Sequence, residues 1–341
     1  MHRFLTSFLI VGAALLLAGH AMAFEAGWRQ IRIAGPGPEV QATTVALYYP
    51  TQTPARAIAM GPFTVTVAPE APPVAKFKGL IVLSHGTGGS ELGHSRLAES
   101  LARAGYLVAA LRHPGDNWQD RSLLSVSAEH YFRERPRQVS RVIDALLSDP
   151  EWKDRIGRDA RGPWVGAVGH SAGGYTVLAL AGGQPDVSRL AAHCAAARTD
   201  DPIFCRTGGT SEPSAAASAT PRASAPLTDP RVRAVVALAP VGVVFTAQSL
   251  AGIRMPVAVY EAEQDRWLVP RFHTGWIVSN LPGAQLHRVP NAWHFAFMDT
   301  PSMSIPSEDG DIRADPPGFD RSAFLQRLAV DVPAFFDKAF K

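Results

Sequence analysis

The stretch VGHSAGGY, residues 168–175, places a serine between a histidine and a glycine-rich run, directly after an apolar segment. Ser171 is the centre of a G-x-S-x-G pattern, with an apparent strand, WVGAVG, before it and a helical pattern after it. A strand that turns sharply into a helix leaves little room for β-carbons, which explains the flanking glycines and points the serine outward. The pattern predicts that Ser171 is a nucleophile; the alternative is an ordinary helix N-cap.

Short apolar runs alternate with helical patterns around this turn. From residue 78 onward the apolar runs are GLIVLS, YLVAAL, WVGAVG, RAVVALAP, PVAVYEA and AQLHRVP. Helical patterns lie near residues 94–104, 136–147 and 272–280, and others start at residue 172 and near residue 321. The alternation predicts an α/β fold, a mostly parallel central sheet with helices on both faces. Three earlier runs, WRQIRIAG, TTVALYYP and FTVTVAP, predict antiparallel N-terminal strands.

The length and composition are those of a globular protein with a substantial core. The chain has 341 residues, 46% of them hydrophobic and 18% charged. We predict one α/β domain over residues 24–341, because single domains of this class often exceed the usual length per domain. A segment rich in Ala, Ser, Pro and Gly, at about residues 183–229, interrupts the alternation and predicts an inserted surface flap near the site.

Residues 1–23, MHRFLTSFLIVGAALLLAGHAMA, combine a basic start, an apolar run and a small-residue end. This pattern predicts a cleaved secretory signal peptide. The alternative is a membrane anchor or a buried helix, but the apolar run is short for a spanning helix, which needs about 20 apolar residues. No later segment of the sequence is long and apolar enough to cross a bilayer. We therefore expect a periplasmic or secreted protein with no stable membrane insertion.

The two cysteines, Cys194 and Cys205, lie close together within the insertion. In an oxidising compartment such a pair predicts a disulfide; the alternative is two unlinked thiols. Two cysteines alone are too few for a structural zinc site, which takes four Cys or His ligands.

Charge and glycine patterns argue against several classes of function. The formal net charge of +3 is small and the basic residues are scattered, so nothing predicts a nucleic-acid partner. The glycine loop HGTGGSELG, residues 85–93, fits neither G-x-x-x-x-G-K-[ST] nor G-x-G-x-x-G, the usual nucleotide-binding patterns. No H-E-x-x-H or paired-histidine helix indicates a metal. We predict no cofactor and no metal.

A nucleophilic serine needs a base and a carboxylate that orients the base. After an elbow of this kind the chain order is Ser, acid, His. The run PVAVYEAEQDRWLVP places Asp265 in a turn just after an apolar strand, and we predict Asp265 as the acid, with Glu263 as its rival. The alternative is a turn aspartate that caps the next helix.

For the base, NAWHFAF, residues 291–297, places His294 in a loop before the last helix, and it is the last histidine of the chain. We predict His294 as the base. His273 is expected on a helix and His287 inside a strand, which makes both weaker candidates. The alternative for His294 is a packed histidine beside Trp293 and Phe295.

The oxyanion that forms in acyl transfer needs preorganised donors, usually two backbone N–H groups. Ala172, directly after the nucleophile, is predicted to supply one of them. The loop SHGTGGS after the strand GLIVLS is predicted to supply the other, with the N–H of Thr87 as the best candidate. The glycines around Thr87 permit close approach; the alternative is an ordinary Gly-rich turn.

Together, SHGTGG, GHSAGG, EAEQD and NAWHFAF look like an α/β-hydrolase. The chain resembles exported serine hydrolases related to dienelactone hydrolase and to platelet-activating factor acetylhydrolase, also at RHPGDNWQDRS and RPRQVSRVIDALL. Dienelactone hydrolases use a cysteine where this chain has Ser171. The acetylhydrolases place their acid after an earlier strand, where this chain has Ala239, Pro240 and Val241. The resemblance implies an α/β-hydrolase fold from about residue 78 to the end and its catalytic machinery.

These observations predict a serine carboxylic ester hydrolase that acts through an acyl-enzyme with a Ser-His-Asp triad. The expected partner is a small-molecule or lipid-like ester. The same triad also serves amidases and peptidases, which keeps that alternative open. A catalytically silent binding protein on a hydrolase scaffold is the alternative outside the enzymes. Sequence leaves the choice of ester open, because pocket walls come from loops whose shape it does not give.

Overall fold

The computed structural model describes residues 24–35, 37, 40–207 and 226–341. The predicted signal peptide, residues 1–23, lies outside the described residues, as do residues 208–225 of the predicted insertion. The boundaries given for a single domain stay a prediction.

One large sheet contains most of the described strands. In chain order the strands are β1 (Glu25–Ile33), β2 (Thr43–Thr51), β3 (Arg56–Met60), β4 (Phe63–Pro69), β5 (Leu80–Ser84), β6 (Leu107–Arg112), β7 (Arg158–Asp159), β8 (Gly162–Pro163), β9 (Val165–His170), β10 (Val232–Leu238), β11 (Val257–Ala262), β12 (Ala284–Val289), β13 (Pro306–Ser307) and β14 (Gly310–Asp311). The large sheet has the order β12-β11-β10-β9-β5-β6-β2-β1-β4-β3, and the two-residue strands form small separate ladders.

The sheet is parallel in its centre and antiparallel near the N terminus. Strands β6, β5, β9, β10, β11 and β12 pair in parallel, while β2 pairs antiparallel with both β6 and β1. Strand β3, which the sequence did not predict, forms an antiparallel hairpin with β4. The predicted fold class is confirmed: a mostly parallel sheet with antiparallel N-terminal strands, and helices on both of its faces.

The helices divide between two apolar cores. They are α1 (Ser95–Arg103), α2 (Ala128–Ser148), α3 (Ala172–Leu180), α4 (Ser188–Ala197), α5 (Pro202–Thr207), α6 (Ala247–Ala251), α7 (Thr274–Asn280) and α8 (Arg321–Ala339). One core lies beneath α2, α3 and α7, and the other beneath α1 and α8. Both cores use the fully buried central strands, whose side chains alternate between the two faces.

Helix α2 begins earlier than the sequence predicted. The sequence predicts this helix near residues 136–147. The helix instead starts at Ala128 and contains Pro136 in its interior, and the Ser127 side chain caps it by accepting the N–H of His130. The extra turns bring Tyr131 and Arg135 onto the helix, and both are buried.

The parallel register brings four loops to one edge of the sheet. Ser84 at the end of β5 pairs with Gly169 of β9, and Ala262 at the end of β11 pairs with Val289 at the end of β12. The loops after β5, β9, β11 and β12 therefore leave the sheet at the same edge, with β10 between β9 and β11. This is the carboxyl edge, where ligands bind in open α/β sheets.

The first half of the insertion is helical. Helices α4 and α5 are joined by a disulfide between Cys194 and Cys205, as predicted, with their Cα atoms 5.4 Å apart. We call residues 188–207 the disulfide-linked hairpin. Within the part of the chain that the structure describes, no helix has the length and apolar character needed to cross a bilayer.

Candidate active site

Ser171 lies in a backbone turn that only small neighbours permit. It joins β9 to α3 with φ +58° and ψ −118°, a region that non-glycine residues rarely occupy. A β-carbon on Gly169 would lie 2.0 Å from the carbonyl oxygen of Gly173, and one on Gly173 would lie 1.9 Å from that of Ser84. The Ser171 N–H donates to the Leu238 carbonyl at 2.9 Å. The serine side chain makes no capping bond to α3 within the described chain, so the N-cap alternative is not supported.

The loops after β11 and β12 bring Asp265 and His294 together. His294 Nδ1 donates to Asp265 Oδ2 at 2.7 Å, and both side chains are 2% exposed. Asp265 Oδ1 accepts the backbone N–H groups of Trp267 at 2.9 Å and Leu268 at 2.8 Å. The turn that begins at Asp265 therefore orients its carboxylate. That carboxylate holds the ring proton of His294 on Nδ1, which leaves the Nε2 lone pair as a proton acceptor.

The rival residues have other partners. Glu263 is exposed, and its Oε2 accepts the N–H of Asn291 at 3.0 Å. His287 lies in β12, as expected, and stacks on Tyr260 with ring centroids 4.5 Å apart. His273 lies immediately before α7 rather than on it. Among the described residues, Asp265 is thus the carboxylate that meets the His294 ring.

A hydrogen bond next to Ser171 links the serine turn to the His294 loop. His170 Nε2 donates to the backbone carbonyl of His294 at 3.0 Å, and the two rings lie 4.8 Å apart between centroids. No hydrogen bond joins the Ser171 hydroxyl to the His294 ring among the described residues. In unliganded enzymes such bonds are often long and shorten only when substrate binds.

The glycine loop after β5 lies against the serine. A β-carbon on Gly86 would lie 3.1 Å from Ser171 Cβ and 3.6 Å from Ser171 Oγ. Thr87 is the next residue and is exposed. Ala172 is the first residue of α3, so the helix supplies no acceptor for its N–H. Gly86 and Ser171 therefore lie against each other, and the two predicted N–H donors, Thr87 and Ala172, are the residues that directly follow them.

A buried ion pair, which the sequence analysis did not single out, supports the glycine loop. Arg135 and Asp116 have completely buried side chains and form a salt bridge. Arg135 also donates to the backbone carbonyl of His85, and Asp116 Oδ1 accepts the N–H of Gly88 at 2.8 Å. One pair of charges thus anchors the loop on both sides of Thr87.

Tyr131 extends this network to Thr87. Its hydroxyl donates to Asp116 Oδ2 at 2.8 Å and lies 2.9 Å from Thr87 Oγ1. Because the tyrosine proton is engaged by the carboxylate, the Thr87 hydroxyl is the donor in the second bond. The Thr87 hydroxyl therefore donates to Tyr131, whereas within the described part of the chain the backbone N–H of Thr87 makes no hydrogen bond to the backbone. Asp116 and Arg135 lie within RHPGDNWQDRS and RPRQVSRVIDALL, and that resemblance was the available sequence signal.

Buried imidazoles lie behind His294. The His94 and His170 ring centroids are 5.2 Å apart, and His170 contacts His294 in turn. Burial lowers the pKa of His94 to about 3 and lowers the pKa of His170 well below its usual value. Both rings are therefore neutral near pH 7. They place no positive charge beside His294, so they do not oppose protonation of its imidazole.

Two groups of described residues have the residue types and spacing of a metal site. One is His193 with the two cysteines, which form a disulfide and offer no thiolate. The other is His193, Asp201 and His273. Gly242 N–H donates to His273 Nδ1 at 3.2 Å, so Nε2 carries the ring proton and donates to Asp201 at 2.9 Å. A metal on Nε2 would require the proton on Nδ1, facing another N–H. The group fits a hydrogen-bonded carboxylate, not a metal.

Comparison with known proteins identifies the fold. No family model and no curated protein matches the sequence. The structure is similar to a ferulic acid esterase from Streptomyces cinnamoneus, with a TM-score of 0.62 and 22% identity, over 94% of this chain and 92% of that chain. The chain has the α/β-hydrolase fold. Because 628 solved chains match it, the fold alone selects no single activity.

Proposed function

We propose that the protein is a serine carboxylic ester hydrolase whose catalytic triad is Ser171, His294 and Asp265. The observation that carries this proposal is the 2.7 Å hydrogen bond from His294 Nδ1 to Asp265 Oδ2, at the sheet edge where Ser171 has its strained φ of +58°. A buried carboxylate that holds an imidazole in the Nδ1–H form prepares Nε2 to take a proton from a hydroxyl.

Ser171 Oγ attacks the ester carbonyl carbon while His294 Nε2 takes the hydroxyl proton. The N–H groups of Thr87 and Ala172 donate to the oxyanion; one such donor typically lowers the barrier by about 3 kcal/mol. The bond to the alcohol oxygen then breaks as His294 returns the proton to it. Water attacks the acyl-enzyme with His294 again as base, which releases the acid and restores Ser171. These steps need only protein groups and water.

Three further observations support parts of this proposal. One protein of similar fold is a ferulic acid esterase, so ester hydrolysis is an activity that this fold supports. The sequence motifs favour a place among the exported hydrolases related to dienelactone hydrolase and platelet-activating factor acetylhydrolase. The signal-like residues 1–23 and the Cys194–Cys205 disulfide favour export to the periplasm or the medium. The substrate is then a small-molecule or lipid-like ester met outside the cytoplasm.

Covalent labelling tests the nucleophile. A fluorophosphonate should modify the wild-type protein at Ser171, as read by peptide mass spectrometry, and should leave Ser171→Ala unmodified. Equal labelling of both proteins would remove Ser171 from the mechanism, and absence of labelling in the wild type would favour a binding protein.

Paired substrates test the reaction class. The wild-type protein should hydrolyse p-nitrophenyl esters and should hydrolyse matched p-nitroanilides far more slowly, because the amine is the poorer leaving group and nothing in the proposed site is assigned to assist it. Turnover of anilides without turnover of esters would replace the esterase proposal by an amidase. A series of esters that differ in acyl length then sorts short, aromatic and lipid-like substrates.

A further inference from the structure

The disulfide-linked hairpin carries a buried carboxylate against the loop that bears Asp265. Asp201 lies in the turn between α4 and α5 and is completely buried. Burying an ionised carboxylate is costly unless it is hydrogen-bonded. The partners of Asp201 therefore indicate what the hairpin does.

The partners of Asp201 include donors from outside the hairpin. Its Oδ2 accepts from His273 Nε2 at 2.9 Å and lies 2.8 Å from His193 Nε2. Its Oδ1 accepts the backbone N–H of Val269 at 3.4 Å. Gly242 N–H bonds to Nδ1 of His273, so the proton of that ring points at Asp201. The carboxylate thus joins the hairpin to two positions of the loop 265–273.

Consecutive backbone N–H groups of the same loop donate to two different carboxylates. Asp265 Oδ1 accepts the N–H groups of Trp267 and Leu268, and Asp201 Oδ1 accepts the next N–H, from Val269. The bonds within the loop orient Asp265, while the bond from Val269 and the ring of His273 attach the loop to the hairpin. A shift of the loop away from Asp201 would carry the N–H groups that orient Asp265 with it.

We infer that Asp201 is a positioning residue: through it the disulfide-linked hairpin fixes the loop 265–273, and with it the carboxylate of Asp265 in the orientation that His294 needs. The inference rests on the proposed function, which makes Asp265 the residue that orients the base. It gives the insertion a role in the site.

Two properties of the junction support this role. Burial acts to raise the pKa of Asp201, but hydrogen bonds and charge interactions with His273 and His193 outweigh it, so the pKa lies below its usual value and the group stays ionised. The neighbouring ion pair between Asp200 and Arg271 has both side chains more than half exposed, and such pairs contribute little. Asp201 is therefore the polar anchor of the junction.

Asp201→Asn with Asp200→Asn as the matched control tests the inference. Asparagine keeps the shape but replaces one acceptor oxygen by a donor that faces other donors. We expect Asp201→Asn to lower kcat about tenfold at nearly constant KM, the effect of losing a hydrogen bond to a charged group. The acidic limb of the kcat/KM profile should move to lower pH, because a loosened Asp265 stabilises the His294 imidazolium less. Asp200→Asn should leave the rate and the profile unchanged.

Proton NMR gives a readout that does not depend on turnover. The Nδ1–H of His294 in its bond to Asp265 should give a low-field resonance in wild type and in Asp200→Asn, and the resonance should broaden or vanish in Asp201→Asn. A wild-type protein with this resonance but without esterase activity or labelling would end the proposed function and leave the positioning role intact. A resonance in Asp201→Asn that matches the control would overturn the inference.

If Asp201→Asn fails to fold, variants of His273 test the positioning role of Asp201 instead. His273→Gln keeps an N–H donor near the Nε2 position, and His273→Leu removes the donor while keeping an apolar side chain of similar size. We expect His273→Gln to retain the low-field resonance and a wild-type pH profile, and His273→Leu to lose both. Equal behaviour of the two variants would overturn the inference as well.

Discussion

The two sides of Ser171 are held in place by different means. On one side, the glycine loop is anchored by full charges, since the buried Arg135–Asp116 pair binds the loop at His85 and Gly88. On the other side, the His294 ring bonds to a carboxylate at 2.7 Å, and its backbone bonds to a neutral imidazole at 3.0 Å.

The difference matches what each side has to do in the proposed reaction. The glycine loop stays fixed while negative charge develops in front of it, and a rigid charged support serves that purpose. The base gains and loses a proton in every cycle, and a cation beside it would disfavour the protonated form. Its buried neighbours are accordingly a carboxylate and uncharged imidazoles.

The largest expected effect is a loss of kcat, and it comes from the side of Ser171 where His294 and Asp265 lie. Asp265→Asn should lower kcat by about four orders of magnitude, as for the same change in other Ser-His-Asp triads, because the amide favours the wrong tautomer of His294. Ester hydrolysis and thermal unfolding should be measured together, since the fold should survive the change. Glu263→Gln, an exposed acid of the same loop, is the control and should keep full activity. Similar losses in both variants would show that Asp265 has no special role.

The next effect is a loss in the free energy of unfolding, and it comes from the side of Ser171 where the glycine loop lies. Arg135→Met leaves Asp116 buried without its cation, which should lower the free energy of unfolding by about 3–5 kcal/mol. Arg137→Met, at an exposed position of the same helix, should change it by less than about 0.5 kcal/mol. Urea unfolding measures both. A loss below about 1 kcal/mol in Arg135→Met would mean that the charges do not anchor the loop, and the contrast between the two sides would disappear.

The neutral imidazoles predict a specific dependence of stability on pH. Burial lowers the pKa of His94 to about 3 in the native protein, against about 6.5 in the unfolded chain. Between these values the unfolded chain binds a proton that the native protein does not, so native stability falls as pH falls from about 6.5 towards 3. His94→Leu removes this contribution and costs no helix cap, because the His94 side chain makes no capping bond to α1.

Relative to wild type, His94→Leu should therefore gain stability as pH is lowered from neutral to about 4.5. Urea unfolding of both proteins at the two pH values measures the change. A difference between the proteins that is the same at both pH values would show that His94 does not titrate as a buried neutral group.

The smallest expected effect separates the Thr87 side chain from its backbone. The hydroxyl is committed to Tyr131 and the N–H is assigned to the oxyanion, so Thr87→Val should lower kcat by less than about tenfold, the value of one neutral hydrogen bond. Steady-state ester hydrolysis measures it, with Thr87→Ser as the control that keeps the hydroxyl. A loss of a hundredfold or more in Thr87→Val alone would assign the hydroxyl, not the N–H, to the reacting oxygen.

The sequence predicts best what is local. The strand, the serine turn and its glycines are consecutive residues, and the structure has the strand and the turn at these positions. Asp265 and His294 each follow an apolar strand and lie in hydrogen-bond contact, and their role beside Ser171 stays a proposal. The start of α2 was predicted wrongly: the helical pattern was placed near residues 136–147, but Ser127 caps the helix more than two turns earlier.

The supporting residues depend on contacts that no local pattern contains. Arg135 is 19 residues away in sequence from Asp116 and 50 residues away from His85, whose carbonyl it binds. Asp201 is 72 residues away in sequence from His273. A buried arginine or aspartate in a sequence looks the same as an exposed one. The segments that contain Arg135 and Asp116 were quoted for their resemblance to known hydrolases, but neither residue was singled out. The composition of the insertion predicted a surface flap near the site, but no local pattern marked Asp201 or its contact with His273.

The most direct test of the central claim is a crystal structure of the protein after reaction with a fluorophosphonate. The phosphorus should be bonded to Ser171 Oγ, with one phosphoryl oxygen about 2.7–3.1 Å from the backbone nitrogens of both Thr87 and Ala172. His294 Nε2 should face the adduct while Nδ1 keeps its bond to Asp265. An adduct on another residue, or a phosphoryl oxygen that meets neither N–H with His294 turned away, would contradict the account.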